Sequence, residues 1–376
     1  MKRLNFFLLH SLLMITMLSN GQERYHIDSI SLSLGKAYPI IYNKTFNSKG
    51  INIEKAITGF VYKRFPNGNL EIENYYKDGN PDSLHRSWYE NGQLKKEQFY
   101  QNKALEGPQY EYYENGQLKS SENFRNNRKI GIQKYFSSNG TILGEANLID
   151  GNGNIILKND SGSLVYEENY ENGLLEKISK YYYQSGKLKC QVSYKEGTLD
   201  GVYTKFYETG KKDCEYEYSK GIKNGTYKSW YEDETPKDEG TYKDGNLFGL
   251  YKTWHPNGKL KTEVNFSSEY NISGELKSWW KNGQLKTIQN FNEGILTGEQ
   301  FFYSPRGKLI GKGNLKNGYG TIKINDESGR LISLWKINDN NIDQHKCLNK
   351  KKQILDCKHD ISVEFFCDIT FLEELE

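Results

Sequence analysis

The sequence is poor in the residues that build a conventional hydrophobic interior. Only 36% of its 376 residues are hydrophobic, 3 of them Met, and mean hydropathy is −0.82, which excludes a thick aliphatic core. The 5 Cys are too few for a disulfide-built scaffold of this length. Charge of one sign is missing too. The 51 basic residues against 48 acidic leave +3, too little field to hold a phosphate backbone or an anionic membrane, so nucleic acid is not an expected partner. Past the N-terminus no apolar run is long enough to cross a bilayer, so no transmembrane span is expected in the mature chain. Aromatics, by contrast, reach 14%, too many for a disordered chain, and 29 Tyr and 36 Gly against 7 Pro favour strands and turns. The fold class expected is all-β.

The first residues read as an address. Lys2 and Arg3 precede the apolar run Leu4 to Leu18, and Ser19-Asn20-Gly21 sets small residues before a cut at Gln22. A signal peptide over 1–21 and an exported protein, in the periplasm, on the outer-membrane surface or outside the cell, are the expectation. The competing reading is a retained anchor, for which a run of 15 residues, interrupted by Asn5, His10, Ser11 and Thr16, falls short of the ~20 that span a bilayer. No Cys lies near the cut to carry a lipid.

Internal repetition sets the architecture. A glycine recurs at Gly68, Gly92, Gly116, Gly140, Gly162, Gly186, Gly210, Gly258, Gly283, Gly307 and Gly329, mostly 24 residues apart, with Glu234 in its place inside the one double step. That makes twelve copies, here numbered one to twelve, with positions counted from this residue as zero. Asn-Gly between aromatic and Leu-bearing segments, as in Trp88-Tyr89-Glu90-Asn91-Gly92-Gln93-Leu94-Lys95, predicts a β-hairpin with a two-residue type I′ turn. A second glycine eleven residues on (Gly79, Gly151, Gly173, Gly197, Gly221, Gly245, Gly294, Gly318) marks the return turn into the next copy. A two-residue turn pairs −3 with +2 (Tyr89 with Leu94, Trp280 with Leu285) and −9 with +8. The latter pairs read Gly107 with Phe124, Gly201 with Tyr218, Gly225 with Tyr242, Gly249 with Phe266 and Gly274 with Phe291, rings expected to cover strand glycines. The −4 rings, Trp88, Tyr112, Phe136, Tyr182, Phe206, Trp230, Trp254, Trp279 and Tyr303, fall on the other face by alternation. The expected fold is an elongated single-layer antiparallel meander of about twelve hairpins, roughly 115 Å long at ~4.8 Å per strand, held by stacked rings.

The unit Gly-x-Tyr-x-x-Trp-Tyr-x-Asn-Gly-x-Leu-Lys, as in Gly225-Thr226-Tyr227-Lys228-Ser229-Trp230-Tyr231 and Asn257-Gly258-Lys259-Leu260-Lys261, resembles the bacterial MORN-repeat variant, common in proteins labelled YwqK-type toxin–antitoxin antitoxins. The resemblance covers roughly residues 59 to 340 and departs from the pattern in copies five, eight and twelve, which are expected to pack weakly. It implies a stack of β-hairpins used for interaction or scaffolding, with no catalytic residues to carry over.

The organisation expected is therefore a signal peptide over 1–21, an N-terminal cap over 22–58 with Ile30-Ser31-Leu32-Ser33-Leu34 as an edge strand, a repeat array over 59–341, and a Cys-containing C-terminal cap or tail over 342–376. Cys190 and Cys214 occupy equivalent positions two strands apart, ~10 Å against the ~7 Å limit for a disulfide, so they are expected to stay unjoined. Cys347, Cys357 and Cys367 form an odd set. A Cys347–Cys357 bridge, free thiols, or zinc held by His345, Cys347, Cys357 and His359 are the alternatives, the nine-residue gap being wide for zinc. No phosphate loop, nucleophile elbow or metalloprotease helix appears, and no enzyme activity or cofactor is expected. The expected function is a non-catalytic scaffold at the cell envelope that binds a protein, or a glycan, through the −4 rings, for which packing between copies is the competing role. The alternative is an antitoxin or immunity protein that neutralises a toxin by direct binding.

Overall fold

The computed structural model describes residues 24–26, 30–33, 40–46, 52–268, 271–348 and 354–355. The signal-peptide segment, Cys357, His359 and Cys367 lie outside them. The described residues form strands and turns without a helix. Hairpin strands from Gly59–Arg64 to Ile142–Leu148, with Arg24–His26 added parallel to the first, make an eleven-stranded sheet, and those from Gly153–Lys158 to Ile354–Leu355 a 22-stranded one. Ile30–Ser33 is an edge strand, though of a separate three-stranded sheet with Ile40–Phe46 and Asn52–Ala56. The chain divides into two compact units, the first running to Ser179 and taking in Gln184–Gly186, the second taking Lys180–Tyr183 and Lys187 onward.

Each copy is one hairpin, and its two turns differ in kind. At the Asn-Gly end, the N–H of Gly92 donates to the Tyr89 carbonyl at 2.9 Å and the N–H of Tyr89 donates to the Gln93 carbonyl at 2.8 Å. Gly92 has φ 86°, while Asn91 is not among the positive-φ residues. The turn is thus a type I turn closed by a left-handed glycine, not the expected type I′ turn. The type I′ signature, two successive positive φ values, sits instead at the return turns, as at Asp78-Gly79 and Asp244-Gly245. Asparagine at −1 serves a different purpose. Its Oδ1 accepts from the +1 N–H, and its Nδ2 donates to the next copy's turn, as from Asn91 to the Glu114 carbonyl at 3.0 Å and from Asn282 to the Pro305 carbonyl at 2.6 Å.

The longer turn changes the register near it. Residue −4 faces +2 (Trp88 with Leu94, Trp254 with Leu260), −5 faces +4, and +3 is a bulge. The expected −3/+2 pairing is therefore wrong by one residue. Farther out the −9/+8 pairs stand as read, from Gly107 with Phe124 to Gly274 with Phe291. The reason for the glycine differs from that expected. A Cβ at Gly249 would meet nothing within 4 Å, so no ring lies tight over it; φ of +74° demands glycine there. The degenerate copy eight forms the same turn, with Glu234 at φ 72° donating its N–H to the Tyr231 carbonyl at 2.9 Å.

Positions −9, −7, −5, +4, +6 and +8 share one face, and in the second unit that face is the core. Tyr251 (−7), Val264 (+6), Phe266 (+8), Leu276, Phe302, Ile324 and Trp335 are buried there, joined by Leu247, Ile272 and Leu296 from the return segments. The interior is therefore one-sided and contains aliphatic side chains, rather than resting on rings stacked on both faces. Phe302 and Trp335 lie three strands apart, ~14 Å on a flat sheet, yet their rings meet edge to face at 5.4 Å. The sheet curls over this point. Phe302→Ala, at 0% exposure, is expected to cost about 3–5 kcal/mol, measured as a lowered denaturant midpoint with the strand signal retained.

Candidate binding surface

The −4 rings lie on the face opposite the core. Trp88, Tyr112 and Phe136 in the first unit, and Tyr182, Phe206, Trp230, Trp254, Trp279 and Tyr303 in the second, are all half-buried. Where +2 is Leu, as opposite Tyr112 and Trp279, the ring packs against an aliphatic cross-strand neighbour. The same face carries cross-strand charge pairs, Arg86 with Glu97 at 2.6 Å and Lys134 with Glu145 at 3.0 Å. At 25–47% side-chain exposure these contribute at most about 1 kcal/mol each.

The −3 residues explain how the rings are fixed. Freed from the ladder, the Tyr89 hydroxyl donates to the Tyr112 carbonyl at 2.8 Å, Tyr113 to Phe136 at 2.8 Å, Tyr183 to Phe206 at 2.6 Å, Tyr207 to Trp230 at 2.7 Å, and Tyr231 to Trp254 at 2.9 Å. His255 continues the series with Nε2 2.9 Å from the Trp279 carbonyl, and Trp280 with Nε1 3.0 Å from that of Tyr303. Each acceptor is the main chain of the next copy's −4 ring. The bulged +3 lysine lies over the −3 ring, Lys95 at 5.5 Å from Tyr89 and Lys286 at 5.2 Å from Trp280.

On the opposite face of the first unit lies a polar cluster that the sequence reading missed. Tyr135 Oη donates to Glu122 Oε1 at 2.6 Å, Lys129 Nζ to the same oxygen at 2.7 Å, and Tyr170 Oη to Glu168 Oε2 at 2.7 Å. Tyr166 meets Tyr135 edge to face at 6.3 Å. Burial pushes all three phenols well above the ordinary tyrosine range, helped by Glu122 at Tyr135 and by Glu168 at Tyr170, so they remain hydrogen-bond donors. The signal was Glu at +6, where other copies carry Val192, Tyr216, Val264 or Trp335. Nearby in chain order, His85 stands between Tyr76 and Tyr100, its Nε2 2.7 Å from the Tyr75 carbonyl, and burial pushes its pKa down to about 4.

Cys190 and Cys214 are free thiols, both opposite Lys205 from its two sides and so two strands apart, as the spacing implied. Burial raises both, Cys214 to about 11. Backbone pairing places His345 opposite Trp335 and Cys347 opposite Ser333; their proposed partners Cys357 and His359 lie outside the described residues. Among the described residues no three His, Cys, Asp or Glu side chains converge as a metal site, and no helix is long and apolar enough to cross a membrane.

The geometry defines an all-β hairpin-repeat protein. Eight of its copies match the family profile described as MORN repeat variant, over residues 81–102, 105–126, 175–196, 199–220, 223–244, 249–267, 272–293 and 296–317. These are copies two, three and six to eleven, including the glycine-less copy eight. No curated protein matches. Among solved structures, a chain of "Crystal Structure of TcdB2-TccC3-Cdc42" aligns at 13% identity over 84% of this chain and 18% of its own, with TM-score 0.15. A chain of "Crystal Structure of TcdB2-TccC3 without hypervariable C-terminal region" aligns with the same identity and coverage at TM-score 0.13. The present chain thus spans under a fifth of the chains it matches, and the likeness carries no structural argument.

Two outcomes are expected. Tyr231→Phe removes one inter-copy bond and should cost about 0.5–1.5 kcal/mol without loss of fold, read from the denaturant midpoint. For His85, whose folded pKa lies below the ~6.5 of the unfolded chain, stability is full above pH ~6.5 and falls as pH drops toward 4, by up to about 3 kcal/mol. Urea midpoints at pH 7 and pH 4.5 check this, and His85→Phe should flatten the difference.

Proposed function

We propose that the chain is an exported, non-catalytic repeat protein that holds a protein partner on its row of −4 rings. The observation that carries the reading is the repetition of one half-buried ring at one register position, on one face of each unit, with the main chain of seven of the nine tied down by the preceding copy. Large rings held rigid offer contact area at low entropy cost. A protein is favoured over a glycan because paired charges of both signs flank the rings and complement the mixed charge of a protein surface. Export rests on the signal-peptide pattern of residues 1–21.

The test compares the mature protein with a Trp230→Ser, Trp254→Ser, Trp279→Ser variant as bait against an envelope fraction, after both are shown to keep the same strand signal. Partner affinity is expected to drop at least about 30-fold, the effect of one lost residue worth about 2 kcal/mol at a binding hot spot. Equal capture by the triple variant would sink the reading, and N-terminal sequencing of the secreted form should begin at Gln22.

A further inference from the structure

Two of the repeat steps are 22 residues long, Gly140 to Gly162 and Gly307 to Gly329, and they share a pattern. Gly144, Leu148, Gly151, Gly153 and Ile155 in the first match Gly311, Leu315, Gly318, Gly320 and Ile322 in the second. Both Leu and both Ile are at most 2% exposed. Gln133 and Gln300 face the two copies from the same position, and each bonds back to the main chain of the preceding strand. Ser137 and Ser304 stand where the tyrosine series would continue, and both are buried.

The two differ in how their strands meet. In the second, the strands Leu309–Lys316 and Tyr319–Asn325 pair fully, with Gly311 opposite Ile324, Gly313 opposite Ile322 and Leu315 opposite Gly320. In the first, the equivalent strands Ile142–Leu148 and Gly153–Lys158 belong to different sheets, joined only by a bridge between Ile149 and Asn152. They still lie side by side, since a Cβ at Gly144 would stand 2.6 Å from the Ile156 carbonyl oxygen. At position +6 the paired copy has Gly313 and the unpaired copy has Ala146. A Cβ at Gly313 would stand 2.6 Å from Ile322 Cγ1, 2.8 Å from the Thr321 carbonyl oxygen and 3.1 Å from Ile322 Cα. Two of these atoms are backbone, so at the close approach of this 22-residue step a methyl group requires the facing strand to shift.

We propose that the Ala146 methyl holds the Ile142–Leu148/Gly153–Lys158 seam open, making it a joint built into the first unit. The return-turn end is the pivot. It is closed by the Ile149–Asn152 bridge and by main-chain bonds from Gly173 N–H to the Gly151 carbonyl at 2.8 Å and from Lys129 N–H to the Gly173 carbonyl at 3.0 Å. The rest of the seam has no ladder to resist bending.

Amide hydrogen exchange on the mature protein tests this without reference to any partner. The seam-facing amides of residues 142–148 and 153–158 are expected to exchange at least 100-fold faster, on the order of the protection one ladder confers, than their counterparts in 309–316 and 319–325. Ala146→Gly should slow them at least about tenfold, and Gly313→Ala should speed the counterparts. Equal protection of the two sites in the wild type, or unchanged exchange in Ala146→Gly, overturns the proposal. Should Gly313→Ala not fold, the Ala146→Gly result decides alone.

Discussion

The single extra residue on the outgoing side of each hairpin governs the rest of the structure. Because +3 has no partner, −4 meets +2, the strand gains local twist, and −3 is released from the ladder. Twist accumulated over successive copies lets one face turn inward, which is why a chain so poor in aliphatic residues still buries Val264, Leu276, Ile324 and Trp335. The released −3 side chain reaches the next copy, and the bulged +3 lysine settles over its ring. Core, inter-copy bonding and the solvent-side ring row all follow from that one insertion.

In copies two, three and six to ten, what the −3 position shares is a donor at a fixed reach rather than a residue type, while Phe65, Asn159 and Asp326 in copies one, five and twelve stand outside this series. Tyrosine hydroxyl, histidine Nε2 and tryptophan Nε1 all arrive 2.6–3.0 Å from the same carbonyl of the following copy. Where the series stops, at Ser137 and Ser304, the short hydroxyl turns back on its own turn, accepting from the Thr141 N–H in one case and the Lys308 N–H in the other. The expectation that copy eight packs weakly ignored this logic: Tyr231 keeps the donor, and Tyr227 and Tyr242 of that copy lie in the core.

The period, the strand alternation and the −9/+8 pairs were legible because they depend on spacing alone, and spacing survives any choice of turn. The turn type was not. Asn-Gly is compatible with both a type I′ turn and a type I turn closed by a left-handed glycine, and only the hydrogen-bond acceptors tell them apart. That ambiguity moved −3 onto the wrong partner and hid its bond to the next copy. The Glu122–Tyr135–Lys129 cluster escaped for another reason. It joins residues of adjacent hairpins and a return segment, a grouping visible in the sequence only as two glutamates interrupting an otherwise mostly apolar or small position.

The row of turn asparagines carries a liability of ageing. Asn-Gly is the dipeptide most prone to spontaneous deamidation, in which the glycine nitrogen attacks the side-chain amide carbon. Here the Gly92 and Gly116 N–H groups are each bound to the carbonyl three residues back, which holds the attacking nitrogen in place. Loss of the amide at Asn91 would set a carboxylate against the Glu114 carbonyl where a donor had been, replacing attraction between neighbouring hairpins with repulsion. Asp233 already stands at that position in copy eight. The array therefore tolerates one such substitution by inheritance, and chemical wear would spread the same defect along an edge that Asn67, Asn115, Asn257 and Asn282 also help to bind.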